Sequence, residues 1–247
     1  MKAAPKMLSR SALYLCVALL VMTSFGIWMV RHIRNAQLER ALLQASQAQI
    51  LDDPALRLFV AQRAPGLYAQ HCAACHGPHF DGDRGKGAPN LKDEVWLYGS
   101  GSIADIESTI LYGIRSGHPR AHNISEMPAF GRSGRFTKQD VADTVEYLLA
   151  MSKQPHDEQG ASRGQALYFG AGNCYDCHAS DGYGVSDYGT PPLNGRGGNW
   201  LYGGDRAALY QSIYDGRRAL CPAWIGQLDF VQIRTLAVYL HEISHHE

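Results

Sequence analysis

Residues 72–76 read CAACH and residues 174–178 read CYDCH, so the chain contains two Cys-x-x-Cys-His motifs. Cysteines with this spacing on a helical turn can form thioethers with the two vinyl groups of a haem, and the histidine that follows lies under the iron. Zinc knuckles and redox dithiols use the same residue types. Two copies within a repeat favour haem. We therefore predict two covalently attached haem c groups, held by Cys72, Cys75, His76, Cys174, Cys177 and His178.

The motifs lie within a repeated unit. The sequence WLYG occupies residues 96–99 and again residues 200–203, and MPAF at residues 127–130 corresponds to CPAW at residues 221–224. The landmarks follow the same order in both copies. We therefore predict two tandem domains, residues 61–151 and 164–247, joined by the polar linker 152–163.

The spacing of apolar residues predicts helices over residues 103–112, 138–151, 206–214 and 230–243. Thr137 and Asp229 are suitable N-caps for two of these helices. No convincing alternation typical of a strand occurs. The predicted fold class is all-α, with an N-terminal membrane helix.

That membrane helix is predicted from residues 11–30, an apolar run without charge that has basic residues on both sides. Its length suits a hydrocarbon core of about 30 Å, and it lacks the small-x-small end of a cleaved signal peptide. We predict a cytoplasmic segment 1–10, a single uncleaved anchor and a helical connector 31–60. Bacteria attach haem of this kind outside the cytoplasm, so we expect the haem domains on the periplasmic side of the inner membrane. The formal net charge of zero gives no indication of a nucleic-acid partner.

The sixth ligand of the first haem is predicted to be Met127. Pro128 follows it and stiffens its loop, and the x-Pro-Ala-aromatic sequence that it opens recurs in the second copy. His118 and His122 lie on the same stretch and are competing candidates.

The second copy has no methionine, because none occurs after Met151, and Cys221 occupies the position equivalent to Met127. Three interpretations stay open for the second haem: a Cys221 thiolate ligand, an open five-coordinate iron, or substitution by His241. We favour Cys221, which leads us to expect a lower potential at the second haem and electron flow from the second haem to the first.

The sequence resembles the dihaem subunit, subunit III, of the cbb-type cytochrome c oxidases. The matching stretches are residues 72–77, 89–99, 111–119, 127–131, 200–203 and 236–241. The resemblance implies two tandem class I cytochrome c domains, haem ligands at His76, Met127 and His178, and electron delivery toward oxidase catalytic subunits, without catalysis by this chain itself. Two features differ: the family has a longer N-terminal membrane portion, and it has Met-Pro-Ala-Trp where this chain has residues 221–224.

Three functional classes follow from these observations. The leading one is a membrane-anchored electron carrier of a respiratory chain that exchanges single electrons with redox partner proteins. A dihaem dehydrogenase with a catalytic His/Cys-ligated haem, of the thiosulfate type, is the second. A haem sensor with an open second site is the third.

Overall fold

The computed structural model describes residues 10–124, 126–195 and 200–245. Within these ranges all regular structure is helical, and β pairing is limited to isolated bridges, which confirms the all-α prediction. The helices are α1 (Arg10–Gln44), α2 (Gln47–Asp52), α3 (Pro54–His71), α4 (Ala73–His76), α5 (Ile103–Tyr112), α6 (Lys138–Met151), α7 (Glu158–Phe169), α8 (Tyr175–His178), α9 (Arg206–Asp215) and α10 (Phe230–Ser244).

The chain divides into two compact units, Met1–Phe59 and Val60–Glu247. In the first unit, α1 contains a segment long and apolar enough to cross a membrane, Tyr14–Gln44, with a mean hydropathy of 1.7. The side chains of residues 14–34 are all exposed. The predicted anchor therefore lies in one continuous helix with the start of the predicted connector. Most of the predicted cytoplasmic segment, residues 1–9, lies outside the described residues.

The helix boundaries follow local capping signals. Thr137 and Asp229 each cap a helix through a capping box, with Asp140 and Gln232 respectively returning the hydrogen bond. Both predicted N-caps are confirmed. Pro54 begins α3, where its missing N–H costs nothing because first-turn N–H groups have no partner inside a helix.

The last helix of the first repeat is α6, and the last helix of the second repeat is α10. Each of them packs against helices of the other repeat. Helix α10 packs against α5, whereas α6 packs against α7 and α9. Aromatic pairs mark the contacts: the Tyr147 ring lies 5.3 Å from that of Tyr168, and the Tyr239 ring lies 5.9 Å from that of Phe80. Two sequence copies thus exchange helices.

The α6–α7 crossing is closest at Gly164. A Cβ atom there would lie 2.0 Å from the Asp143 carbonyl oxygen, which is backbone and cannot move aside. We expect Gly164→Ala to destabilise the protein by about 1–3 kcal/mol, the usual cost of overpacking. Gly66 in α3 has nothing within 4 Å of such a Cβ atom, so Gly66→Ala should stabilise by about 0.5–1 kcal/mol. Urea unfolding of the haem-loaded protein measures both, and equal effects of the two variants would contradict this packing.

An ion pair also joins α6 and α7. Arg163 donates to both carboxylate oxygens of Asp143 at 2.7 Å, and the Asp143 side chain is 6% exposed. The Arg163 hydrogen bonds lower the pKa of Asp143, so this carboxylate stabilises the fold above its unfolded pKa of about 3.9. That stabilisation is lost as the pH falls through the lower folded pKa.

We therefore expect Asp143→Asn to reduce stability at pH 7 and to have a much smaller effect at pH 2. Urea midpoints at the two pH values measure this difference. Asp187→Asn, at an exposed loop position, is the matched control and should give a small effect at both. An Asp143→Asn effect of the same size at pH 2 as at pH 7 would show that the carboxylate charge is not what stabilises the crossing.

Candidate haem sites

The first motif is a short helical turn with a fixed histidine. Helix α4 follows Cys72, and the His76 N–H donates to the Cys72 carbonyl at 3.0 Å. The His76 Nδ1 atom lies 3.0 Å from the Pro89 carbonyl oxygen. This contact places the proton on Nδ1 and leaves Nε2 as the atom able to bind a metal.

The second motif repeats this geometry. The His178 N–H donates to the Cys174 carbonyl at 2.9 Å, and His178 Nδ1 lies 3.1 Å from the Pro191 carbonyl oxygen. A tyrosine hydroxyl stabilises the turn in both copies. Tyr68 donates to the Gly77 carbonyl at 2.7 Å, and Tyr168 donates to the Ala179 carbonyl at 2.6 Å. The proline carbonyls lie thirteen residues beyond each histidine. These prolines are not among the predicted site residues, although the fixed spacing of thirteen residues is visible in the sequence.

Burial controls the protonation of these groups. It lowers the pKa of His76 and of His178, so both imidazoles are neutral at pH 7, as metal ligation requires. Burial, with the nearby thiols of Cys221 and Cys75, raises the pKa of Cys72 to about 12, and burial raises that of Cys174 to about 11. Both cysteines are therefore thiols, not thiolates, at pH 7.

Two stretches, which we name the crossing segments (residues 113–124 with 126–130, and residues 216–225), run beside each other between the motifs. Ile114 and Cys221 exchange both backbone hydrogen bonds, at 2.9 and 3.0 Å, and Met127 and Arg217 do the same at 3.1 and 3.2 Å. The two pairs are equivalent in the repeat. Each crossing segment therefore leads into the site of the other copy.

The crossing places Cys221 beside the first motif. The Trp224 N–H donates to the Ile110 carbonyl at 3.1 Å, and the Trp224 ring packs edge-on to His71 at 5.1 Å, one residue before Cys72. Burial, with the thiol of Cys75 nearby, raises the pKa of Cys221 to about 11.

Met127 lies with the second motif instead. The Phe130 N–H donates to the Ile213 carbonyl at 3.1 Å, the counterpart of the Trp224 contact. Met127 and Cys174 pack against the same apolar cluster, built from α6, Tyr168 and α9. Chain order predicts the opposite pairing, Met127 with the first motif and Cys221 with the second. The two repeats exchange their C-terminal halves, and this exchange reverses the pairing of loops with motifs.

The competing histidines are engaged elsewhere. His118 stacks on Tyr112 at 4.9 Å, and His122 lies 3.3 Å from the Thr109 hydroxyl. His241 is buried in α10, with Nδ1 2.8 Å from the Gly101 carbonyl oxygen. Within the described residues, none of the three lines the cavity between the motifs.

Both motifs open into one cavity of about 560 Å³, and Cys221 and Met127 line it as well. This volume lies within the range of about 300–1,000 Å³ that is typical of small-molecule and cofactor sites. The Tyr98 hydroxyl, which also lines the cavity, is buried and has no hydrogen-bond partner among the described residues. These features fit haem. The cavity is large and apolar, its cysteines are free thiols, its histidines can bind iron through Nε2, and the Tyr98 hydroxyl can donate a hydrogen bond.

Comparison with known proteins agrees with this geometry. The model of the family "Cytochrome c" matches residues 61–152, and that of "Cytochrome C oxidase, cbb3-type, subunit III" matches residues 159–240. The chain is 37% identical to the cbb3-type oxidase subunit FixP of Bradyrhizobium sp. (strain ORS 278), over 83% of this chain and 68% of that one. It is 38% identical to the subunit CcoP of Azospirillum brasilense, over 83% of this chain and 69% of that one.

The chain belongs to the CcoP/FixP family of cbb3-type oxidase subunits. A third relative, CcoP of Cereibacter sphaeroides, is 35% identical over 85% of this chain and 70% of its own length. Membership confirms the predicted cytochrome c fold, the two haem c cofactors and the role of a membrane-anchored electron-transfer cytochrome of the respiratory chain. The family resemblance found from the motifs is therefore confirmed.

Proposed function

We propose that this chain relays single electrons to the catalytic subunits of a cbb3-type oxidase and performs no substrate chemistry itself. The observation that carries this proposal is the pair of matched sites in one apolar cavity, each with a histidine whose Nδ1 is bound by a proline carbonyl. A bound haem supplies a one-electron couple, and the chain's part is to hold it in fixed surroundings of low polarity.

The ligand set follows from the crossing segments. Cys72 and Cys75 would attach the first haem, and His76 and Cys221 would bind its iron. Cys174 and Cys177 would attach the second haem, and His178 and Met127 would bind its iron. The contacts of Trp224 and Phe130 with the ends of α5 and α9 support this assignment, because each holds its loop at a motif of the other copy.

The proposed domains are the two cytochrome c repeats, residues 61–151 and 164–247, after a single anchor and a connector. We place them on the periplasmic side, where haem is attached covalently. A reporter enzyme that is active only outside the cytoplasm, fused after residue 245 and in a second strain after residue 9, tests this orientation. Activity of the second fusion alone would reverse it.

Purified full-length protein tests the function directly. Intact mass and the reduced absorbance spectrum should show two haem groups per chain, and electron paramagnetic resonance should separate a thiolate-ligated ferric haem from a methionine-ligated one. The reduced protein should be reoxidised under oxygen by an oxidase core that lacks its own subunit III. Reduction by thiosulfate together with no reoxidation by that core would favour the dehydrogenase class instead.

A further inference from the structure

The Tyr98 side chain is buried at the edge of the cavity. Tyr98 is 7% exposed, its ring stacks on His122 at 4.3 Å, and its hydroxyl finds no partner among the described residues. A buried hydroxyl without a hydrogen bond destabilises a fold. Such a donor facing a cavity indicates a ligand that accepts a hydrogen bond.

The hydroxyl end of Tyr98 reaches the loop of the other motif. A Cβ atom on Gly189 would lie 1.9 Å from Tyr98 Cζ and 2.3 Å from its hydroxyl oxygen. Gly189 belongs to the loop that leads from His178 to Pro191, whose carbonyl orients that histidine. Tyr98 follows the first motif in sequence, but its hydroxyl lies at the loop of the second site.

Tyr202 makes the reciprocal contact. A Cβ atom on Gly87, two residues before Pro89 in the first site's loop, would lie 2.2 Å from the Tyr202 hydroxyl oxygen. Gly87 and Gly189 each lie eleven residues after their motif histidine, and both have positive φ, 65° and 67°. Both positions need glycine because a tyrosine from the other copy occupies the space of a side chain.

Positive charge lies beside the Tyr202 hydroxyl. The Arg217 guanidinium lies over the Tyr202 ring at 4.3 Å, and Arg115 donates from Nε to the Ala219 carbonyl. Both arginines line the cavity. Glu126, an acidic residue of the same lining, is paired with Arg218 at 2.9 Å. A hydroxyl donor beside guanidinium groups, as at Tyr202, favours a carboxylate ligand.

We propose that Tyr98 and Tyr202 are exchanged propionate-binding residues: each donates its hydroxyl hydrogen bond to a carboxylate of the haem attached to the other copy's motif. The inference rests on the proposed haem sites and adds residues that determine the potentials of the two haems separately. Haem carries two carboxylates, and a buried carboxylate needs hydrogen-bond donors. The hydrogen bond partly compensates the negative charge of the carboxylate, so without it that charge acts more strongly on the iron and favours the ferric state.

The test is a redox titration of full-length, haem-loaded variants, followed by optical and electron paramagnetic resonance spectra. Tyr98→Phe should lower the potential of the haem at His178, and Tyr202→Phe that of the haem at His76. The expected shift is about threefold to tenfold in the redox equilibrium, up to ~59 mV for one electron. Tyr210→Phe, on α9 but outside the cavity lining, is the matched control and should shift neither.

A His178→Met variant changes the signal of the haem at the second site and so identifies it. This identification holds whether Cys221 or Met127 is the sixth ligand. If the wild-type protein lacks two distinct haem signals, the proposed ligand set fails. If the signals are distinct and Tyr98→Phe shifts the haem at His76, or neither haem, the exchange is overturned while the proposed function stands.

Discussion

Replacing Cys221 with methionine is expected to raise the potential of the haem attached to Cys72 and Cys75, and to leave the other haem unchanged. Thiolate is an anionic ligand that stabilises ferric iron, whereas methionine stabilises the ferrous state. Axial ligands move haem potentials over a range of about 0.8 V, so we expect a rise on the order of 0.1 V or more. The family pattern carries methionine at this position, so the pocket should accept the longer side chain.

A redox titration monitored by electron paramagnetic resonance measures this effect. The first haem should also exchange its thiolate signature for that of a methionine ligand. Cys16→Ser, which alters the other cysteine outside the motifs, is the control and should change nothing. A shift confined to the haem attached to Cys174 and Cys177 would restore the pairing expected from chain order and would contradict the crossing.

The corrected pairing reverses the expected direction of electron flow. Chain order predicts the lower potential at the second haem, because it pairs Cys221 with the second motif. Cys221 lies beside Cys72 and Cys75, so we expect the lower potential at the first haem and downhill electron flow from the first haem to the second. The titration described above decides between the two orders in the wild-type protein as well.

Much of the fold was predictable because its signals are local. Helices α5 and α6 have the predicted bounds, and the predicted caps Thr137 and Asp229 act through side chains within one helical turn. The motif turns and their histidines are likewise set by residues close in sequence. Such features depend on spacing that can be read directly along the chain.

The pairing of Met127 and Cys221 was not predictable in this way. Both residues open the same x-Pro-Ala-aromatic sequence, and both repeats offer equivalent apolar faces to a closing helix. A tandem arrangement and an exchanged one therefore satisfy the same local signals. The deciding contacts join residues far apart in sequence, such as Ile114 with Cys221 and Met127 with Arg217. Only the folded chain distinguishes the two arrangements.

Replacing Met127 with leucine gives the complementary test at the second site. Leucine keeps the volume and apolar character, so the cost to stability should stay below about 1.5 kcal/mol, but it cannot bind iron. We expect the haem attached to Cys174 and Cys177 to become high-spin and five-coordinate, to bind carbon monoxide when reduced, and to fall in potential by on the order of 0.1 V.

Met151→Leu is the matched control, because Met151 packs against the same apolar cluster as Met127 without facing the cavity between the motifs. It should leave both haem spectra unchanged, which separates loss of a ligand from repacking of the cluster. Carbon monoxide binding at the haem attached to Cys72 and Cys75 would mean that Met127 serves the first site. If the repeats exchange their loops, the Cys221 variant alters the first haem and the Met127 variant alters the second. In a tandem arrangement each variant alters the other haem. Agreement between the two experiments therefore establishes which loop serves which haem.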